Sequence, residues 1–279
     1  MSPEELNNLI LTNDERLEHM SKTYAKELKD IVPVIREFIK ANLDKKGTLA
    51  IASLNLRMVQ DLLQKAGMGQ WGQIDKYLEK AGDLAVKEIQ KNNPGMEDFL
   101  KPSPESLARA LQDVKDETRL ELANIERSTE QVVYQQLLSM EIIPTPMSTA
   151  VSVVRNRMKT NKHLAYTYLN TTMALQQRKI HRESGKTMEA LGEAVLYLYA
   201  GPKDGLTRKF CRATVNKVFT DKQIAKLKNG QSLNVAQFGG GYNCRHRWLP
   251  TTRQYEKRHD SISKATSSTL KTINDSVKK

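Results

Sequence analysis

Cysteine is nearly missing from this chain: there are two in 279 residues, along with two tryptophans, and aromatics make up 6%. Two cysteines are too few for a disulfide scaffold and fit a reducing compartment. So few aromatics, with only 14 glycines, favour helices over a sheet-rich architecture. No run of 18 apolar residues occurs, which argues against a membrane span. The opening Met1-Ser-Pro-Glu-Glu-Leu is acidic and polar and does not read as a secretory signal. Internal repeats are not seen. Acidic residues thin out in the second part. Residues 151–279 hold 8 Asp and Glu against 25 Lys and Arg, whereas residues 1–150 hold 24 against 19, giving local balances of +17 and −5 within the net +12. An excess of that size points to an anionic partner for the second half, either nucleic acid or an acidic protein surface.

What is present in quantity is helical patterning. From Asp14, Leu17, Met20, Tyr24, Leu28 and Ile31 recur at spacings of three and four. Pro33 interrupts the pattern, and Ile35, Phe38 and Ile39 carry it on to about Leu43, so one kinked helix or two stacked helices are expected. Gly47 and Thr48 open a segment, Leu49 to Leu63, that is apolar on more than one face and suits the core. Gly67 to Gly72 reads as a turn. Ile74 to Ile89 reads as a helix closed by Asn92-Asn-Pro-Gly. The spacing then predicts one long helix over 105–142, with Leu107, Leu111, Leu122, Ile125 and Leu137 buried. At a rise of 1.5 Å per residue that helix is about 57 Å long, the length of a coiled-coil arm or a strut in an assembly. Two further helices, Thr149 to Met158 and His163 to Glu183, are expected before a connector, Gly185 to Gly192.

The character changes after residue 185. Glu193 to Ala200 has the composition of a strand, and Asn216 to Thr220 that of a second. Thr220 is placed to cap a helix, Asp221 to Lys228. The tail from His259 to Lys279 is polar and basic and has little to bury. The expected fold is therefore mainly α, a long helical N-terminal region with a small α+β C-terminal module. Its parts are a helical region (1–102), the long helix and its successors (103–184), the small Cys/His module (185–253) and a polar basic tail (254–279).

Both cysteines lie in that module. Cys211 follows Asp204-Gly-Leu-Thr-Arg-Lys-Phe, and Cys244 sits in Gly239-Gly-Gly-Tyr-Asn-Cys-Arg-His-Arg-Trp248. Three readings stay open: two reduced, packed thiols; a disulfide; or a metal site of Cys211, Cys244 and His246, with Asp204 or His181 able to supply a fourth ligand to a structural zinc. Gly239, Gly240 and Gly241 suit a tight turn beside Trp248, and no phosphate-loop pattern follows them. Arg245, Arg247, Arg253, Lys257 and Arg258 are candidate contacts to a nucleic-acid backbone or an acidic partner. His246 between two arginines also admits a metal-dependent nuclease or a toxin-like effector. The companion His and Asn of a ββα-metal nuclease are missing at suitable spacing.

The run Gly-Pro-x-Asp-x-x-Thr-Arg-x-Phe-Cys, then Lys-Val-Phe-Thr, then Gly-Gly-Tyr-Asn-Cys-Arg-His-Arg-Trp resembles the C-terminal module of phage head-morphogenesis proteins, the minor head proteins similar to protein F of phage Mu. The match covers about residues 195–250. The family pattern has a second upstream cysteine where this chain has Thr214, and a final cysteine where it has His246, so a four-cysteine site is excluded. The resemblance implies a non-enzymatic virion protein of the phage head interior, made in the host cytoplasm. It implies contacts to portal and capsid proteins, possible contact with genomic double-stranded DNA, no membrane, and several copies acting in head morphogenesis or in DNA packaging and delivery.

Overall fold

The computed structural model describes residues 2–27, 31–44, 49, 54–66, 72–93, 103–142 and 146–278. The fold is mainly α with a small mixed sheet near the C-terminus. No described helix is long and apolar enough to cross a membrane. The opening of the Leu49–Leu63 segment at Gly47–Thr48, residues 67–71 of the expected Gly67–Gly72 turn, the Pro94-Gly95 stop and the side chains of Tyr24, Leu28, Ile31 and Leu107 lie outside the description.

The first helix begins eleven residues earlier than its apolar pattern suggests. Helix α1 spans Pro3–Glu27. Ser2 accepts from the Glu5 amide at 3.2 Å, and Glu5 accepts from the Ser2 amide at 2.7 Å. That reciprocal box, with proline in the first helical position, nucleates the start. Pro33 is the third residue of α2 (Ile31–Asn42); residues 28–30, where one kinked helix and two stacked helices would differ, lie outside the description. Helix α3 (Leu56–Lys65) is capped by Asn55, whose side chain accepts from the Met58 amide, and α4 spans Gly72–Asn92.

Helix α5 (Pro104–Ile142) is continuous over 39 residues. Val114, Thr118 and Leu122 are buried on it, then Thr129, Val133 and Leu137, while Leu111 and Ile125 are half-buried. Steps of four dominate this stripe, rather than the alternating three and four of a heptad. The next helix is one element, not two: α6 runs through Met147–Ala190. Asn161 marks the expected break, but its Nδ2 donates to Thr129 Oγ1 at 2.5 Å, which anchors a weak helix former inside the helix. Gly185 does not open a connector either. It lies within α6 where a Cβ would fall 2.4 Å from the Tyr197 hydroxyl, so its place is set by close packing.

The chain forms two compact units that do not follow the linear boundaries expected from composition. One holds residues 19–73 and 117–169. Its core gathers Ile35, Ile39, Val59, Leu63, Val133, Leu137, Val154 and Met158 from α2, α3, α5 and α6.

The other unit holds residues 1–18, 74–116 and 170–279 and carries the sheet. Strands β1 (Val195–Ala200), β2 (Lys217–Phe219), β3 (Arg247–Thr252) and β4 (Ser263–Lys264) are ordered β3-β1-β2-β4. β1 pairs antiparallel with β2 and β3, placing Tyr199 opposite both Lys217 and Trp248. β3 is not legible as a strand because it contains Pro250. Its edge position makes that proline tolerable. Alternation along β1 sends Leu196 and Leu198 to one face with Leu6 and Ile10 of α1. Tyr197 and Tyr199 go to the other, with Phe210, Phe219 and Trp248.

The tail is folded, contrary to its polar composition. After α7 (Lys209–Thr214), α8 (Asp221–Ile224), α9 (Val235–Phe238) and α10 (Arg253–Arg258), the chain ends in α11 (Ser267–Ser276). Thr266 and Thr269 cap α11 reciprocally, and its Ile273 is 1% exposed in the same core as Tyr199 and Trp248. Ala265 and Ile273 with half-buried Leu270 suffice to dock ten residues of otherwise polar helix.

Candidate metal centre

Two short elements and one loop converge beneath Tyr199. Helix α7 carries Cys211 inward beside Phe210, and the loop after α9 carries Cys244 and leads through His246 into β3. Cys211, Cys244 and His246 are 2%, 4% and 2% exposed. Their ligand atoms all lie within 4.8 Å of one another, and this is the one such group of three or more His, Cys, Asp or Glu among the described residues. The Sγ atoms are 3.7 Å apart, and Cys244 Sγ is 4.0 Å from His246 Nδ1. Both cysteines are free; their separation exceeds the roughly 2.05 Å of a disulfide.

The donor set fits a thiophilic ion. With Zn–S near 2.3 Å, two sulfurs of one tetrahedral centre lie about 3.8 Å apart, against the 3.7 Å seen here. The glycines make room. A Cβ on Gly240 would lie 2.4 Å from Cys211 Sγ, and one on Gly239 would lie 3.2 Å from Cys244 Sγ. Gly239 and Gly241 adopt positive φ, at 54° and 109°. Gly239 and Gly240 thus fold over the cysteines, while Gly241 packs against Gln231. The Gly240 amide donates to Cys244 Sγ at 3.2 Å. Gly201 gives His246 its place, since a Cβ there would meet the imidazole at 2.8 Å. A hydrogen bond from Cys211 holds the Cys244 thiol well below its ordinary pKa, against burial and with help from His246 and Arg178; the same bond, with burial, pushes Cys211 up.

Neither expected fourth ligand joins them. Asp204 is bound by Arg245 at 2.6 Å, which holds its carboxyl far below the ordinary range, and it also accepts from Thr207 and Leu206 to build its own turn. His181 pairs with Glu88 at 3.3 Å. Thr214 hydrogen-bonds back to the Phe210 carbonyl at 2.6 Å.

No family model, curated protein or solved structure matches this chain. The site is therefore read from its own geometry.

The basic residues divide. Arg253, Lys257 and Arg258 are exposed on α10. Arg245 is half-buried and engaged by Asp204. Arg247 is not a surface contact at all: it is 0% exposed, bonds Asp14 of α1, lies 3.4 Å from Glu88 of α4, and donates to the Arg245 carbonyl. Glu88 also accepts from Asn13 at 2.7 Å and faces His181. Burial pushes Asp14 up to about 6 despite Arg247. Burial works the same way on Glu88, but Arg247, His181 and Asn13 outweigh it and hold this carboxyl down. Arg247 thus ties β3 to two helices far away in sequence.

Two further side chains were not singled out from sequence. Tyr199 is 0% exposed, stacks on His246 with ring centroids 5.2 Å apart, and places Oη 3.4 Å from each sulfur. The strand alternation that puts Tyr197 and Tyr199 on one face was a usable signal for it. Arg178 of α6 is 1% exposed and donates to the carbonyls of Gln237, Cys244 and His246, locking the ligand loop. Its helix pattern carries no sign of that role.

Proposed function

We propose that this chain is a non-enzymatic minor head protein of a bacteriophage. In this reading it lies against portal and capsid proteins in the head interior, and its C-terminal module is held together by a metal ion rather than by catalysis. The observation that carries the reading is a coincidence of sequence and space. The segments resembling the phage head-morphogenesis module, around Gly201 to Cys211, Lys217 to Thr220 and Gly239 to Trp248, form one buried cluster in which Cys211, Cys244 and His246 meet. That donor set is two sulfurs and an imidazole at 2–4% exposure, shut off from bulk water and substrate as suits a structural ion. The nearby buried carboxylates, Asp14 and Glu88, are taken up by Arg247 and His181. The exposed cations of α10 offer a surface for DNA or an acidic portal face.

The test is particle composition. Phage particles produced by the source cell are purified by density gradient and probed with antibody to residues 195–279, and heads are imaged after deletion of the gene. The chain should band with full heads, and deletion should yield empty or malformed heads. Absence from particles together with normal heads would refute the proposal.

A further inference from the structure

We infer that Tyr199 is the fourth ligand of the centre, its phenol oxygen completing a Cys-Cys-His-Tyr set around a divalent ion. This rests on reading Cys211, Cys244 and His246 as a metal centre. Two observations carry it.

The first is distance. Tyr199 Oη lies 3.4 Å from Cys211 Sγ and 3.4 Å from Cys244 Sγ. Oxygen and sulfur ligands of one tetrahedral zinc, at about 2.0 and 2.3 Å, are about 3.5 Å apart. With the 3.7 Å between sulfurs, the three atoms form a nearly equilateral triangle with the edges of one face of such a site. Those edges place the oxygen where it can share one point with both sulfurs.

The second is confinement. Tyr199 is fully buried, opposite Trp248 in the sheet, with ring centroids 4.3 Å apart, and it is stacked on His246. A Cβ on Gly239 would stand 3.0 Å from Oη. The oxygen is therefore held by strand, ring packing and glycine loop together, which is how a ligand is preorganised.

The test uses the full-length chain, purified under reducing conditions, stripped of metal and reloaded with cobalt(II) as a spectroscopic stand-in for zinc. The wild type is expected to give the intense visible bands of a tetrahedral centre, unchanged by added azide because no position is open. Tyr199→Phe keeps the ring and removes only the oxygen. It should bind cobalt more than about tenfold more weakly, a loss that removal of an outer partner also reaches. The deciding readout is azide: the bands of Tyr199→Phe should shift on its addition. Zinc-edge X-ray absorption of the wild type should report two sulfur and two nitrogen or oxygen neighbours. A Tyr199→Phe spectrum that matches the wild type and ignores azide overturns the ligand assignment and leaves the metal centre standing with three protein donors. If that variant does not fold, azide-responsive wild-type cobalt bands overturn it equally. If the wild type takes up neither cobalt nor zinc, the metal-centre reading falls, and this inference with it.

Discussion

Removing Arg247 should cost unit-scale stability, not surface affinity. Arg247→Met keeps the volume of the stem but deletes a cation that is 0% exposed and serves two buried carboxylates, Asp14 and Glu88. The cluster charge then moves from one net negative to two with no water to screen it. Breaking a buried pair by removing one partner costs about 3–5 kcal/mol, a large part of the roughly 5–15 kcal/mol available to a folded domain. The assay is urea denaturation followed by Trp248, which is buried in the same unit, in a Trp71→Phe background so that it is the only tryptophan. The pH dependence has a definite sign. Asp14 has a folded pKa of about 6 against its ordinary 3.8, so it takes up a proton more readily in the folded state, and stability rises as pH falls from 7.5 to 5, by about 1.4 kcal/mol, since only the unit between pH 6 and 5 is gained in that window at 1.36 kcal/mol per unit. Glu88 is shifted the other way: its contribution is present above its ordinary pKa of 4.5 and is lost as pH falls through its lower folded value, outside that window. In Arg247→Met both carboxyls are pushed up, so the loss relative to wild type should shrink between pH 7.5 and 5. Adding Asp14→Asn and Glu88→Gln should recover most of it. A loss below about 1 kcal/mol at pH 7.5, or one that does not change with pH, would refute the account of Arg247 as a buried tie.

Three further outcomes are expected. Gly185→Ala, which in an exposed helix interior would stabilise by about 1 kcal/mol, should instead lower the melting temperature, because the new Cβ falls 2.4 Å from the rigid Tyr197 ring hydroxyl; a raised melting temperature would contradict the packing described for α6. Replacing Arg253, Lys257 and Arg258 with Ala should weaken double-stranded DNA binding and flatten its salt dependence without altering the melting temperature, measured by fluorescence anisotropy between 50 and 200 mM salt on the scale where phosphate contacts act; unchanged binding would leave α10 to a protein partner. Purified protein with added Mg²⁺, Mn²⁺ or Zn²⁺ should not cleave supercoiled or single-stranded DNA on a gel, and metal-dependent cleavage that His246→Ala abolishes would replace the structural reading with a nuclease.

Local signals carried much of this protein. The unbroken run of helix formers from Pro104 to Ile142, with no glycine or proline inside it, determined α5, because helix propensity and the absence of breakers act within a few residues. The β-rich Val195–Ala200 and the Thr220 cap were equally local. The grouping of Cys211, Cys244 and His246 was readable because three chemically distinctive residues share one short module. Tertiary structure decided the rest. Asn161 stays helical because Thr129 of another helix accepts its side-chain N–H, and Gly185 because Tyr197 of a strand fills its space. Arg245 and Arg247 are two residues apart and looked alike. Strand alternation and the carboxylates of α1 and α4, more than 150 residues away, turned Arg247 into a buried tie and left Arg245 near the surface. The polar tail folds because Ala265 and Ile273 find a core built from β1, β2 and α7. Tyr199 meets the two sulfurs because pairing across β3 and β1 sets its ring against His246, a contact 47 residues apart in sequence. A side chain's environment is fixed by what packs against it, and for these residues every such partner is distant in the chain.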